Sequence, residues 1–269
     1  MSLVGTTFAG YSIAEKVNRG GLADIYLGSD NSGQKFVLRV LLAEFRYDWS
    51  AVRRFRWGGE VLSKLNHPNV IHMYGNGKYH GWRYEVLEYV DGPNLKEKIL
   101  RTDSLLRANQ LKVLVGMAMG LAHVHDRGFL HLDFKPENVL VSRTYEAKLI
   151  DFDLAIPRPI RPKRASKLSG TPAYLAPEQL ARQPVDERAD IFAYGVTAYE
   201  MLTGKKPVTG NTIEEVVKKY ADFDEHLKPL RAHLPDVPHA IEHVILKCLE
   251  KDVERRYPSM GLVVRDLQT

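Results

Sequence analysis

The chain has 269 residues, of which 44% are hydrophobic, enough for a folded protein with a substantial core. Its formal net charge of +5 comes from 38 basic and 33 acidic residues. The charged residues are interspersed along the chain, which argues against a nucleic-acid-binding protein.

The single cysteine, Cys248, excludes an internal disulfide framework and favours a reducing, cytoplasmic compartment. The longest apolar segment, 111–124, is too short and too polar to span a membrane, and the first residues do not resemble a secretory signal. The sequence leaves open that the chain is the cytosolic part of a longer protein.

The first third of the chain is predicted to form strands and one helix. Residues 50–65 have the apolar spacing of an amphipathic helix that ends before His67-Pro68. Alternating apolar residues, separated by glycine-containing turns, predict strands on both sides of this helix. The predicted strands are 11–17, 23–27, 35–41, 70–74 and 82–89.

The remainder of the chain is mostly helical in pattern. Asp91-Gly-Pro93 interrupts the periodicity and divides the chain into a strand-rich lobe, 1–90, and a helix-rich lobe, 91–269. We therefore predict a bilobal α+β fold with a cleft between the lobes. The proline-rich, basic segment 157–167 is predicted to be a mobile loop. The predicted helices are 94–100, 108–127, 189–202, 212–220, 238–249 and 259–267, with short strands at 139–141 and 147–150.

One short stretch, His131-Leu-Asp-Phe-Lys-Pro-Glu-Asn138, carries the most chemistry. It places a carboxylate (Asp133), a cation (Lys135) and an amide (Asn138) close together, and a second carboxylate, Asp151, follows downstream. Phosphoryl transfer uses this combination: one carboxylate orients the attacking hydroxyl, a carboxylate and an amide hold Mg²⁺, and a cation offsets phosphoryl charge. The pattern predicts a phosphoryl-transfer site.

In order and spacing, these motifs resemble those of the eukaryotic-like (Hanks-type) Ser/Thr protein kinases, in particular the bacterial branch, and the resemblance covers Tyr11 to Leu267. It implies ATP and Mg²⁺ as cofactors and a protein Ser/Thr side chain as substrate. Asp133 and Lys135 are then catalytic, and Asn138 and Asp151 hold the metal.

The resemblance also implies a nucleotide pocket. Gly20 and Gly21 stand in the place of the glycine-rich loop, although Asn18 and Ala23 replace two of its glycines. Leu87 takes the gatekeeper position beside the adenine. The other implied nucleotide-binding residues are Val17, Ile25, Val37, Arg39, Glu88, Val90 and Leu140.

Arg39 stands where the family has a lysine that contacts the phosphates and a helix glutamate. Arginine keeps the charge but is a planar fork on a longer reach, so the exchange is not conservative. Glu60 is expected to be the helix glutamate that pairs with Arg39, and both are expected to be catalytic. From the sequence, Arg39→Lys is expected to raise the rate.

Residues outside the catalytic and nucleotide-binding sets bear on regulation and on how the fold is held together. Leu132 replaces the arginine that reads an activation-loop phosphate in the family, which argues against switching by that route. Asp153 replaces the glycine of the Asp-Phe-Gly tripeptide and brings a negative charge near the metal site. The resemblance further implies that Thr171 contacts Asp133 and Lys135, that Glu178 pairs with Arg256, and that Asp190 holds the catalytic-loop backbone. Candidate phosphorylation sites are Ser166 and Ser169.

Two functions from different classes remain open. The first is an ATP- and Mg²⁺-dependent Ser/Thr protein kinase of reduced activity, supported by the retained Asp133, Lys135, Asn138 and Asp151. The second is a pseudokinase, a nucleotide-responsive binding or scaffolding module, supported by the departures at Arg39 and elsewhere. A small-molecule phosphotransferase is disfavoured because residues 170–178 resemble a protein-substrate platform. Nucleotide and protein substrate are the expected partners, nucleic acid and membrane are not, and a homodimer is left open.

Overall fold

The structure is a computed structural model that describes residues 3–161, 163–164, 170–210, 212–221, 223 and 227–269. The candidate phosphorylation sites Ser166 and Ser169 lie outside these residues. Residues 156–157 and 163–164 form two-residue strands, and residues 158–161, within the predicted loop 157–167, have no helix or strand. The first of these strands pairs with residues 129–130, shortly after the helix 110–126.

The first part of the chain folds into a six-stranded antiparallel sheet in the order β1-β2-β3-β4-β6-β5. The strand predicted at 70–74 instead begins at Met73 and runs to Tyr79, while Val70 makes an isolated parallel bridge to Leu149. In the pairing of β4 with β6, Arg39 lies directly opposite Glu85 and Val37 opposite Leu87. The strands are β1 Thr7–Phe8, β2 Tyr11–Arg19, β3 Ala23–Ser29, β4 Lys35–Leu41, β5 Met73–Tyr79 and β6 Trp82–Glu88.

Helix α1, Trp49–Leu62, packs between the sheet and the rest of the protein. Asp48 caps its first turn, accepting a hydrogen bond from the Ala51 backbone N–H at 3.0 Å. Gly58 and Gly59 lie in the helix interior and are buried. Each costs about 0.5–1 kcal/mol relative to alanine at such a position, so the two glycines weaken this helix unless a neighbour needs the space.

The second part of the chain is largely helical, which together with the sheet confirms the predicted α+β fold. The helix predicted at 108–127 is present and runs from Gln110 to Asp126, and a separate short helix that is capped by Asp103 precedes it. The helices are α2 Leu95–Leu100, α3 Ser104–Ala108, α4 Gln110–Asp126, α5 Pro177–Leu180, α6 Arg188–Thr203, α7 Ile213–Ala221, α8 His239–Cys248 and α9 Met260–Gln268. Short strands follow α4 or lie between helices: β7 Phe129–Leu130, β8 Val139–Val141, β9 Ala147–Leu149, β10 Ile156–Pro157, β11 Lys163–Arg164 and β12 Pro184–Val185.

The helical part carries the larger core, which is centred on α4 and α6. Buried apolar side chains from both helices pack in one core with those of β8, which follows the catalytic loop, and β9, which precedes Asp151. The predicted ion pair between Glu178 and Arg256 is present and buried, with two N–O distances of 2.7 and 2.8 Å. Among the described residues, no helix has both the length and the apolar character needed to cross a membrane.

Candidate active site

The loop between β7 and β8 brings Asp133, Lys135 and Asn138 into direct contact. Lys135 Nζ donates to both carboxylate oxygens of Asp133, at 3.0 and 2.9 Å. Asn138 Nδ2 donates to the backbone oxygen of Asp133 at 2.8 Å and to its Oδ2 at 3.0 Å. The Asp133 carboxylate is thus held from two sides, in one orientation.

Asp190, at the start of α6, supports this loop from below. Its fully buried carboxylate accepts hydrogen bonds from the backbone N–H groups of His131 and Leu132, each at 2.8 Å. Leu132 has a φ of +56°, a left-handed conformation that costs a bulky residue free energy and persists only when its surroundings hold it. His125 also contacts Asp190, at 2.9 Å. The predicted contact of Asp190 with the loop backbone is therefore confirmed.

Thr171 joins the activation segment to the catalytic loop. Its Oγ1 accepts a hydrogen bond from Lys135 Nζ at 3.1 Å, so the predicted contact with Lys135 is confirmed and the link to Asp133 runs through that lysine. Leu132 is half-buried and packs against the larger core. A leucine in this place cannot bind a phosphate, which agrees with the prediction that the arginine's reading role is lost.

Asp151 lies after β9, on a strained turn beside the catalytic loop. It has a φ of +63°, and its side chain is 39% exposed. The preceding residue, Ile150, donates its N–H to the Asn138 backbone oxygen at 3.0 Å, which ties the two predicted metal-binding positions together. His131 adds a second tie, because its ring nitrogen contacts the Ile150 oxygen at 3.3 Å.

Arg39 is the centre of a buried charge cluster. Its guanidinium donates from Nη1 to Glu85 at 3.1 Å and to Asp153 Oδ1 at 3.0 Å, and from Nη2 to Asp153 Oδ2. Asp151 Oδ1 lies 3.7 Å from Nη2, and the guanidinium carbon lies 5.0 Å from the centre of the Phe55 ring. The side chains of Glu85 and Asp153 are each only 3% exposed. Asp153 thus does not face the phosphate side of the cleft as a free charge, but forms a two-pronged pair with Arg39.

The predicted pair between Arg39 and Glu60 is not formed, and this expectation was wrong. Glu60 is exposed on α1 and its carboxylate contacts Lys64 at 3.2 Å. The α1 positions that face the cluster are Gly58, two residues earlier and beside Asp153, and Gly59, beside Glu85. Two residues of an α-helix correspond to about 200° of rotation, so Glu60 and Gly58 point to nearly opposite sides.

Sequence reasoning gave no role to Glu85 or to the two glycines. The signal was present in part: a Gly-Gly pair inside an amphipathic helix pattern is costly, and usually marks a close approach by a neighbour. A glutamate in the middle of a strand, between the aromatic Tyr84 and the apolar Val86, was the second signal.

The charges in the cluster shift one another's pKa values. Burial lowers the pKa of Arg39, but the nearby Asp153, Glu85 and Asp151 outweigh that effect and raise it well above its ordinary value. Burial raises the pKa of Asp153, although Arg39 opposes the rise. Burial likewise raises the pKa of Glu85 to about 7, against the lowering effect of Arg39. One guanidinium therefore compensates two buried carboxylates only in part.

Glu85 makes the stability of the protein depend on pH. Its folded-state pKa of about 7 lies above its ordinary value of 4.5, so the folded state binds this proton more tightly than the unfolded state does. The contribution to stability is complete below pH 4.5 and is lost as the pH rises through 7. We expect the free energy of unfolding of wild type to fall across this range relative to that of Glu85→Gln. Urea unfolding at several pH values measures this difference, and parallel curves for the two proteins would contradict it.

Most of the residues implied for nucleotide binding are distributed over the strands β2, β3, β4 and β6 of the sheet. Val17 is on β2 and is 58% exposed, Ile25 is opposite Arg39 across β3 and β4, and Val37 is opposite Leu87. The hinge residue Glu88 ends β6, where its carboxylate pairs with Lys148 at 2.8 Å. Val90 follows in the connection to α2, and Leu140 is on β8, bridged to Asn94.

The glycine-rich turn connects β2 and β3. Gly20 donates its N–H to the Ala23 oxygen at 2.9 Å and so closes the turn, with Gly21 at its tip. Ala23 is buried in a small cluster with Phe55 of α1, so its methyl group points to the helix. Asn18 lies opposite Ile25 in the strand pairing.

Comparison with known proteins adds an independent finding. A family model described as the protein kinase domain matches residues 11–266. A probable serine/threonine-protein kinase PknB of Lactococcus lactis is 31% identical over 280 residues, covering 100% of this chain and 43% of that protein. The serine/threonine-protein kinase PrkC of Bacillus subtilis is 29% identical over 270 residues, with 99% and 41% covered.

A solved structure agrees with these relatives. The kinase domain of PknI from Mycobacterium tuberculosis matches with a TM-score of 0.71 and 26% identity, covering 98% of this chain and 97% of that one. The chain matches nearly the full length of that solved kinase domain, but it spans only about two fifths of the length of the curated relatives named above.

Proposed function

Because this chain belongs to the protein kinase family and is a domain of the bacterial Ser/Thr type, we propose that it transfers the γ-phosphoryl group of ATP to Ser or Thr hydroxyls of proteins. The observation that carries the proposal is the Asp133 carboxylate, fixed by Lys135 and Asn138 beside Thr171. A phosphoryl-transfer enzyme needs this arrangement, whereas a binding module does not.

Asp133 is the residue that would meet the substrate hydroxyl. Its carboxylate is held in place by neighbours on one loop, so it orients the hydroxyl and accepts its proton without rearrangement. Lys135 contacts both Asp133 and Thr171, and it places a positive charge where the phosphoryl group passes between ATP and the hydroxyl. Thr171 thereby joins the protein-substrate side to the catalytic loop.

The residues present fit a Mg²⁺ ion. The Nδ2 group of Asn138 donates two hydrogen bonds to Asp133, which leaves the side-chain carbonyl oxygen of Asn138 as an acceptor. Asp151 has a partly exposed carboxylate. Mg²⁺ favours few protein oxygens together with water and phosphate oxygens, so Asn138 and Asp151 suffice to hold it. When bound, the ion neutralises charge on the ATP phosphates.

Nucleotide would bind against the sheet. Leu87 and Val37 lie opposite each other across β4 and β6, and Leu87 and Leu140 both pack against the larger core, so these apolar side chains would suit an adenine ring. The backbone of Glu88 and Val90 would meet the adenine edge, Val17 and Ile25 would cover the ring, and Gly20 and Gly21 would approach the phosphates. Arg39 supplies the cation at the phosphates.

Two further statements about partners and place are proposals. ATP chemistry and the single, buried Cys248 favour a cytoplasmic domain that acts on protein substrates. A longer protein could carry it as its cytosolic kinase domain, as the lengths of the relatives suggest. A homodimer stays a prediction.

Binding of Mg·ATP tests the first half of the proposal. Millimolar ATP with Mg²⁺ is expected to raise the melting temperature of wild type, and Asp151→Ala is expected to remove the part of the shift that needs Mg²⁺, because it removes the exposed metal ligand. ATP with a chelator in place of Mg²⁺ is the control. No shift of wild type at millimolar ATP would contradict the proposal.

A further inference from the structure

We propose that Asp153 and the glycine pair of α1 act as one device: Asp153 positions Arg39 in place of a helix carboxylate, and Gly58 and Gly59 make the room for it. Asp153 is thus a positioning residue for the phosphate-binding cation. The proposal rests on the proposed kinase function for its role in catalysis, but its structural part can be tested without any activity.

The first support is the geometry of the pair. Both nitrogens of the Arg39 fork donate to the two oxygens of Asp153, at 3.0 Å from Nη1 to Oδ1 and by a second bond from Nη2 to Oδ2. A two-pronged pair of this kind fixes the plane of the guanidinium as well as its position. Glu85 adds a third bond from the neighbouring strand, so the orientation of Arg39 is determined from two elements.

The second support is independent and comes from α1. A Cβ atom added to Gly58 would lie under 3.0 Å from Asp153 Oδ1 and 3.2 Å from both the Cα and the N of Asp153. A Cβ atom added to Gly59 would lie 2.6 Å from Glu85 Oε1. Real Cβ atoms essentially never come within 3.0 Å of another heavy atom, so an added Cβ would displace the carboxylate oxygen of Asp153 at Gly58 and that of Glu85 at Gly59. Each glycine therefore admits one of the two carboxylates that hold Arg39.

Asp153 connects Arg39 to the loop after β9, which also carries the predicted metal ligand Asp151. Asp153 lies two residues after Asp151 and donates its N–H to Asp151 Oδ1 at 3.3 Å. Trp57 of α1 donates to the Ala155 oxygen at 2.7 Å, which anchors the same loop to the helix. Displacement of this loop would move the metal ligand and the partner of Arg39 together. In this chain the loop after β9, rather than a carboxylate on α1, sets the position of the cation.

A double-mutant cycle on thermal stability tests the structural part. Gly58→Ala should lower the melting temperature of wild type, although the same change inside a helix usually raises stability. In Asp153→Gly, where the carboxylate is absent, Gly58→Ala should raise it by about 2–4 °C. Arg56→Ala, at an exposed position of the same helix, is the matched control and should give the same small shift in both backgrounds. Additive effects of Gly58→Ala in the two backgrounds would overturn the proposal.

Activity tests the functional part. Asp153→Gly should lower the phosphorylation rate at least tenfold, and Gly58→Glu in that background should recover at least threefold, because it returns a carboxylate to the helix. A single variant Asp153→Gly that is as fast as wild type, or a double variant no faster than the single one, would overturn the positioning role.

If Asp153→Gly does not fold, Asp153→Asn replaces it, because the amide keeps the shape of the side chain and loses its charge. Asp153→Asn must then be slower than wild type, and equal rates would overturn the proposal. A wild type that lacks all activity yet passes the stability cycle would refute the kinase function and leave the device intact.

Discussion

Asp133→Asn is expected to lower the rate of phosphoryl transfer by about 10²–10⁴-fold while the protein stays folded and still binds Mg·ATP. The amide keeps the size of the side chain and its place beside Lys135 and Asn138, but it cannot accept the proton of the attacking hydroxyl. Initial rates of phosphate incorporation into a generic basic protein measure the loss. The nucleotide-dependent thermal shift measures binding in the same samples.

The thermal shift separates this result from misfolding or loss of nucleotide. Asp151→Ala serves as the contrasting variant, because it should lose the metal-dependent part of the shift as well as the rate. Equal phosphate incorporation by wild type and Asp133→Asn would contradict the catalytic role of Asp133, and the binding-module alternative would then account for the chain better.

Arg39→Lys is expected to lower the rate by about 10–100-fold, which reverses the expectation drawn from sequence alone. Arginine donates to both oxygens of Asp153 and to Glu85, whereas an ammonium group on a shorter stem cannot maintain the same fork. The loss of one charge-assisted hydrogen bond, worth about 1.5–3 kcal/mol, corresponds to this range if it is felt in the transition state. Steady-state rates at saturating and at low ATP measure it.

The free energy of unfolding of the Arg39 variants provides a second, independent test of the same charge cluster. Arg39→Ala leaves Asp153 and Glu85 buried without their cation, so its free energy of unfolding should fall by about 3–5 kcal/mol, and Arg39→Lys should lie between this variant and wild type. Arg56→Lys, the same exchange at an exposed position of α1, should change neither rate nor stability. An Arg39→Lys variant faster than wild type would contradict this account, because it would mean that arginine is less effective than lysine at this position.

The predicted site residues that the structure brings into direct contact are those that are close together in the chain. Asp133, Lys135 and Asn138 are on one loop of eight residues, so their types and spacing already limit how their side chains can meet. The strand alternation around Arg39 likewise predicted a strand at 35–41, which the structure contains as β4. Local patterns of this kind depend on the period of the element and on short loops, which the sequence records directly.

The partners of Arg39 could not be predicted in the same way. Glu85 and Asp153 are 46 and 114 residues away from it, and both meet it only after the sheet, α1 and the loop after β9 have packed together. The error at Glu60 came from the phase of α1: the helix face was not fixed by the alignment of motifs, and a shift of two residues turns a side chain to the opposite side. The adjacent Gly58 and Gly59 in α1 and the glutamate in the middle of β6 were the local traces of this cluster in the sequence.

Identification of the phosphorylated residues tests the central claim most directly. Wild type incubated with Mg·ATP and a generic basic protein is predicted to place phosphate on serine and threonine side chains, at a level that falls to background without Mg²⁺ and in Asp133→Asn. Mass spectrometry of the digested products shows both the residue type and the level. Incorporation no greater than that of Asp133→Asn, or phosphate confined to tyrosine, would contradict a Ser/Thr kinase in which Asp133 is the catalytic carboxylate.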